Sequence, residues 1–276
     1  MDIISKKIIL NGINKGLNLS LIGYSRSAIR TGFIIPEYNI FLDAGIYSDK
    51  KPELILVTHS HQDHINNLYS LLLDNIKNPY LGYPKEIHTL MKNYLDANFS
   101  LNLNKRKSFM KYKSLLFEDN SLNVKISSKN LEIKPFIMTH DVPCLGYGIS
   151  EIKTCLHPTY SNLSQEEIKD LVKNNINVKT ERKSKMLLFC GDTNYKCLET
   201  LDYTYPYIII ESTFLYPEHF EESRKKYHLH FSDLQPYIEK YTETTFILIH
   251  FSKRYKDEDI LEFFKLNNYP NIIPFV

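Results

Sequence analysis

Between His59 and His64 the chain places three imidazoles and one carboxylate, in the order His59, His61, Asp63 and His64. They close the stretch V-T-H-S-H-Q-D-H, which follows the apolar run L-I-L-V. Neutral imidazole and carboxylate are preferred ligands of zinc, at about 2.0–2.2 Å. A histidine on its own is usually a structural or surface residue. Four such groups in six residues behind a buried run read instead as a metal-binding loop. Histidines at i and i+2 on an extended loop point the same way and can grip one ion. Asp63 and His64, directly after the turn, can grip a second.

Other chemistry-bearing residues recur at the ends of apolar runs. These are His140 after F-I-M-T, Asp192 after L-L-F-C-G, Glu211 after Y-I-I-I and His250 after F-I-L-I. Loops at strand ends are where a rigid scaffold presents reactive groups. The elements that position them are legible in outline. L-N-L-S-L-I-G-Y, R-T-G-F-I-I-P, N-I-F-L-D-A-G and E-L-I-L-V-T-H read as strands. From Asp63 the period changes: Ile65, Leu68, Leu71, Leu72 and Ile76 recur at helical spacing, with Asp63 the expected N-cap.

A second helix is expected over residues 84–103, with Pro84 in its first turn. A basic run, Asn104 to Lys113, follows it. Strands resume with L-N-V-K-I and L-E-I-K-P-F-I-M-T-H. Residues 155–185 are polar and basic and hold one helix, opened by a capping box of Ser164 and Glu167. Further on, Ser232 is the expected cap of S-D-L-Q-P-Y-I-E-K-Y, D-E-D-I-L-E-F-F-K-L reads as a helix, and N-I-I-P-F-V as a last strand. His88 and His157 read as structural or surface groups.

At 276 residues and 43 % hydrophobic content the chain can bury a sizeable core. A formal net charge of +2 excludes a polycation, so any nucleic-acid affinity must come from local basic patches. Four cysteines without a C-x-x-C pair read as reduced thiols. No secretory signal and no apolar run long enough for a bilayer is visible. A cytoplasmic protein without membrane contact is therefore expected.

The H-x-H-x-D-H stretch resembles the signature of the metallo-β-lactamase superfamily. That resemblance implies an α/β fold of the four-layer αββα sandwich type, formed by residues 1–276 as a single domain. It implies one ion held by His59, His61 and His140, a second held by Asp63, His64 and His250, and Asp192 bridging them. Two zinc ions per chain are expected, although His/Asp sites also accept manganese or iron.

Finer motifs narrow the resemblance. H-D-V-P-C-L-G-Y-G-I from His140, E-S-T-F from Glu211, H-L-H-F-S-D-L from His228 and I-H-F-S-K-R-Y from Ile249 are similar to stretches of the ribonuclease Z family. The match runs from about residue 17 to residue 255. It implies hydrolysis of precursor tRNA to a 3′-OH tRNA and a 5′-phosphate trailer. Asp63 would orient the attacking water or take its proton. A histidine held by Glu211 would protonate the leaving oxygen. Counting back from His250 favours His228 for that role and leaves His230 open. Ser252, Lys253 and Arg254 are expected to meet phosphates near the cut.

The family's protruding arm corresponds to residues 155–185, where Lys179, Arg182 and Lys183 suit phosphate contacts. The run Asn104 to Lys113 could also meet RNA. The family usually forms homodimers. Two other readings are open: a hydrolase of the same fold acting on a small phosphodiester or thioester, and a catalytically silent RNA-binding relative.

Overall fold

A computed structural model describes residues 6–11, 18–73, 78–104 and 111–276. The first half runs β1 (Lys6–Asn11), β2 (Asn18–Arg26), β3 (Arg30–Ile35), β4 (Ile40–Leu42), β5 (Leu54–Leu56), α1 (Gln62–Ile65), α2 (Leu68–Leu72), β6 (Tyr80–Pro84), α3 (His88–Leu103) and β7 (Lys113–Phe117). Its strands form a seven-stranded sheet in chain order. The second half runs β8 (Leu122–Ile126), β9 (Lys129–Met138), β10 (Cys144–Leu156), α4 (Gln165–Lys173), β11 (Lys179–Phe189), β12 (Tyr207–Glu211), α5 (Phe220–Lys225), α6 (Phe231–Lys240), β13 (Thr245–Ile249), α7 (Asp257–Leu266) and β14 (Ile272–Pro274). It too gives a seven-stranded sheet, from β8 to β14.

The two sheets repeat one plan. Three antiparallel pairings come first, then three parallel ones. Parallel neighbours need crossover connections, and α-helices lie in those joining β5 to β6, β6 to β7, β12 to β13 and β13 to β14. One buried cluster fills the space between the sheets, with Phe33, Ile40 and Leu54 from the first and Ile133, Phe189, Ile209 and Ile247 from the second. A second cluster joins Phe41, Ile55 and Leu81 to Leu68, Leu71 and Leu95 of the helices outside the first sheet. A third joins Ile208, Ile210 and Leu248 to Leu234, Ile238 and Ile260 outside the other. The result is helix, sheet, sheet, helix. It also explains why Y-I-I-I at the end of β12 reads as one apolar run: Tyr207 and Ile209 face inward, Ile208 and Ile210 outward, and both faces are covered.

The elements differ from the sequence reading in several places. Asp63 lies inside the first turn of α1, and His61 occupies the N-cap. Pro84 ends β6 ahead of the helix it was expected to open. The N-cap of α6 is His230, two residues before the expected Ser232. Strand β11 begins at Lys179, well inside the stretch expected to be an arm. There β10 and β11 pair from Ser150↔Lys185 to Leu156↔Lys179 as an antiparallel ribbon. From Ile152 outward solvent reaches both faces of that ribbon, so its residues carry no apolar alternation and the strand is hidden in the sequence. The helix α4 follows its capping box as expected, with Ser164 and Glu167 bonding reciprocally, and none of its residues is buried.

Lys179 and Arg182 are exposed and have no ion-pair partner among the described residues, whereas Lys183 meets Glu132 at 2.6 Å. Of the basic run Asn104 to Lys113, residues 105–110 lie outside the described ones. No described helix is long and apolar enough to cross a membrane.

Candidate metal centre

Strands β9 and β11 are both antiparallel to β10, and β12 and β13 run parallel to β11. Their C-terminal ends therefore lie along one edge of the sheet. His140, Asp192, Glu211 and His250 sit at that edge, facing the loop that leaves β5 with His59 and His61 and enters α1 with Asp63 and His64.

Their side chains converge. His61 Nδ1 lies 3.1 Å from His59 Nε2 and 3.2 Å from His140 Nε2. The Oδ2 of Asp192 lies 3.8 Å from His59 Nε2, 3.5 Å from His64 Nε2 and 3.2 Å from His250 Nε2. The Oδ2 of Asp63 is 3.6 Å from His64 Nε2 and 3.4 Å from His250 Nε2. Donor atoms of His59, His61, His140 and Asp192 form one group within 4.8 Å, and those of Asp63, His64 and His250 form another. Asp192 stands between them.

The opposite ring nitrogens are held by oxygens. His64 Nδ1 donates to Asp43 at 2.7 Å, His59 Nδ1 lies 2.9 Å from the Thr58 hydroxyl, and His250 Nδ1 lies 3.1 Å from the Thr213 hydroxyl. His140 Nδ1 donates to the Tyr227 carbonyl at 3.2 Å. His61 is turned round, with Nδ1 in the cluster and Nε2 3.5 Å from Asp141. Such partners orient metal-binding imidazoles and set their tautomers. Each ring is left with one nitrogen aimed into the cluster. The Nε2 of His64 is buried without a hydrogen-bond partner, as a ligand atom would be. Asp43 and His250 adopt left-handed backbone, φ 57° and 59°, a conformation held at a cost for a non-glycine residue. The donor set fits two divalent cations.

Burial pushes the His59 imidazole well below its usual range, so it is neutral and ready to coordinate. Burial acts the same way on His64, but Asp192 and Asp43 outweigh it and raise it well above the usual range. Asp192 is buried too, yet His250 and His64 keep it ionised. Cation binding must therefore expel the proton of His64. Loading is expected to release a proton and to weaken as pH falls. Calorimetry in two buffers of different ionisation heat checks this; identical apparent heats would refute it.

Beside this cluster, His228 Nδ1 meets Glu211 Oε1 at 2.8 Å. Glu211 is fully buried and also accepts from the Thr193 and Leu229 N–H groups at 2.8 and 3.1 Å. Burial pulls the His228 imidazole down, but Glu211 outweighs it and lifts it to about 9. A ring nitrogen of His228 lies within 4.8 Å of donor atoms of Asp192 and His250.

His230 is turned away and serves α6. Its Nδ1 accepts from the Ser232 N–H at 3.2 Å and its Nε2 donates to the Tyr216 carbonyl at 2.9 Å. Both of its nitrogens are used, and the structure brings His228 rather than His230 to the cluster. Ser252 is buried, and its hydroxyl accepts from Arg254 Nε at 3.1 Å. Arg254 also pairs with Glu222 at 2.8 Å, while Lys253 is exposed without a partner among the described residues. A cleft of ≈460 Å³ next to His140 is lined by Glu86, Glu118, Asp119 and Asp141, whose charge disfavours phosphate.

No protein-family model matches the chain. It is 27 % identical to tRNase Z TRZ1 of Arabidopsis thaliana over 251 residues, covering 86 % of this chain and 87 % of that one. It is 25 % identical to the chloroplastic tRNase Z TRZ2 of the same plant over 273 residues, covering 90 % of this chain and 72 % of that one. Among solved structures, the metallo-β-lactamase fold protein YhfI from Bacillus subtilis superposes with TM-score 0.59, 10 % identity and coverage of 91 % and 92 %. The short form of human tRNase Z gives 0.55 and 16 %, with coverage of 84 % and 92 %.

The chain has the metallo-β-lactamase fold. Within it, four supporting residues besides Asp141 escaped the sequence reading: Asp43, Thr58, Thr213 and Tyr227. Asp43 left a signal, being a lone carboxylate at the end of an apolar strand. The other three act through a hydroxyl or a backbone carbonyl and left none.

Proposed function

We propose that the chain is an endoribonuclease of the tRNase Z kind that removes the 3′ trailer of precursor tRNA. The tRNase Z relatives and the fold support a metal-dependent hydrolase. The observation that supports the finer reading is the His228–Glu211 pair beside the ligand cluster, an imidazole with a nitrogen within 4.8 Å of donor atoms of Asp192 and His250. His59, His61, His140 and Asp192 would hold one cation, and Asp63, His64, His250 and Asp192 the other. Two zinc ions bound there would supply Lewis acidity toward phosphoryl oxygens and a water acidic enough to ionise near neutral pH.

Asp63 is 14 % exposed, and its Oδ2 accepts from the Ala28 N–H at 3.1 Å. Burial raises its carboxyl, but His250 and His64 outweigh this and keep it ionised, so it can orient the attacking water and accept its proton. As the water oxygen bonds to phosphorus, the bond to the 3′-oxygen breaks and His228 protonates that oxygen. Glu211 occupies Nδ1 of His228, which leaves Nε2 to make the transfer. The products are a 3′-OH and a 5′-phosphate.

Incubation with a trailer-bearing tRNA precursor, with and without chelator, tests the reading by end-mapping of the products. Cleavage of bis-p-nitrophenyl phosphate with no cleavage of RNA would move it to a small phosphodiester. RNA binding without cleavage of either would make the chain a silent relative. A homodimer and a cytoplasmic location belong to the same proposal. Sedimentation and cell fractionation test them.

The ribbon that carries Lys179, Arg182 and Lys183 is proposed to contact the RNA backbone. Neutralising these three should weaken precursor binding and lower the slope of log K against log salt by about 2. An unchanged slope would reject the contact.

A further inference from the structure

The helix α5 ends in a tight turn. The N–H of Lys226 bonds to the Glu222 carbonyl at 3.0 Å and that of His228 to the Ser223 carbonyl at 3.1 Å. Between them Tyr227 adopts φ 55°. This is the left-handed position of a Schellman motif, where glycine is usual because a Cβ is crowded. A bulky residue there is an outlier.

The turn itself has a clear purpose. It aims the Tyr227 carbonyl at His140 Nδ1 and delivers His228 to Glu211. Neither contact uses the tyrosine side chain. The side chain of Tyr227 is 44 % exposed, and among the described residues its hydroxyl has no hydrogen bond and its ring no aromatic or cationic neighbour. The nearby exposed rings of Tyr195 and Phe220 are engaged, lying 4.4 and 4.2 Å from the Arg224 guanidinium, which forks onto Asp233. Folding would favour glycine or asparagine at 227. The chain instead carries a large, unpartnered aromatic one peptide bond from His228.

We infer that Tyr227 is a stacking platform for an unpaired nucleobase of the RNA substrate beside the scissile phosphate, an inference that rests on the endoribonuclease reading. Aromatic side chains bind single-stranded bases by stacking and tolerate any sequence, because every base has a π-face. A base inside a duplex has both faces covered by its neighbours and offers no such contact. Tyr227 therefore favours RNA that is unpaired at the point of cleavage.

The test uses the full-length, metal-loaded protein with Tyr227→Gly, Tyr227→Asn and Tyr227→Phe. Glycine and asparagine both accept the left-handed turn, and phenylalanine keeps the ring. Cleavage kinetics are read on precursor RNA. The fluorescence of 2-aminopurine placed on either side of the cut is read in a His228→Ala background. Tyr227→Gly and Tyr227→Asn are expected to raise KM by roughly 5- to 100-fold, with a smaller change in kcat, and to abolish quenching of the 2-aminopurine. Tyr227→Phe is expected to keep both. A glycine variant with unchanged KM and quenching overturns the inference and leaves the endoribonuclease reading intact. So does a KM rise that follows a fall in melting temperature, or a phenylalanine variant as impaired as the glycine one. RNA left uncut by the unsubstituted protein overturns both.

Discussion

Replacing His228 with alanine will lower turnover of precursor RNA by about 100- to 10,000-fold, the range of a single general acid, and will leave two cations bound per chain. The expectation follows from the separation of duties in the site. Seven side chains surround the two proposed cation positions, and His228 stands beside them with its Nδ1 held by Glu211 at 2.8 Å. Glu211 raises the imidazole to about 9 despite its burial. A group lifted that far is protonated at neutral pH, and in the proposed reaction it is the donor. The sign for activity is fixed by this: the acid form is the working form, so the rate falls as pH rises through the value that His228 has in the loaded protein. Bound cations repel the proton, which places that fall at or below pH 9. The alkaline limb of kcat/KM should be present in the unsubstituted enzyme and absent in the variant. Undiminished turnover in His228→Ala, or an alkaline limb that survives it, would remove His228 from the reaction.

Replacing Asp192 with alanine should dismantle the centre rather than slow it. Among the described residues its Oδ2 is the one carboxylate oxygen within 3.8 Å of the donor nitrogens of His59, His64 and His250. It is buried, and among the described residues no other carboxylate stands between the two donor groups. Loss of a partner that only orients a ligand costs about 10- to 100-fold in metal affinity; loss of this one should cost at least about 100-fold for one of the cations. Elemental analysis after gel filtration is expected to fall from two ions per chain to one or fewer. The rise in melting temperature on adding zinc, about 2.7 kcal/mol of stabilisation at a hundredfold excess over Kd for one site, should shrink with it. Two ions still bound per chain would show that Asp192 is not shared.

How far the sequence reaches can be judged element by element. The first ligand cluster is contiguous, so its spacing alone points to metal, and the apolar run before it marks the strand end that presents it. His140, Asp192 and His250 are each weak signals taken singly; order behind the first motif made them a set. Strands β1, β6 and β7 went unread, because short or charged runs such as K-K-I-I-L-N, Y-L-G-Y-P and K-S-L-L-F take their pairing from neighbours distant in the chain. The ribbon strand of β11 was hidden for a related reason: with solvent on both faces, nothing demands alternation.

Two residues apart, His228 and His230 are alike in chemistry; counting back from His250 favours His228 and still leaves His230 open. The fold separates them, because His230 caps α6 with Nδ1 and holds the Tyr216 carbonyl with Nε2, while His228 points at Glu211. The types and order of the candidate ligands, and the strand ends that carry them, are local properties of the chain, and the resemblance gathers them into a set. Which nitrogen faces inward, which oxygen holds the other, and that Tyr227 lies in a left-handed turn beside the reacting groups are decided by packing between segments far apart in sequence. Those choices are set by directions in space, and residue types and spacings carry no direction until the two sheets close on one another.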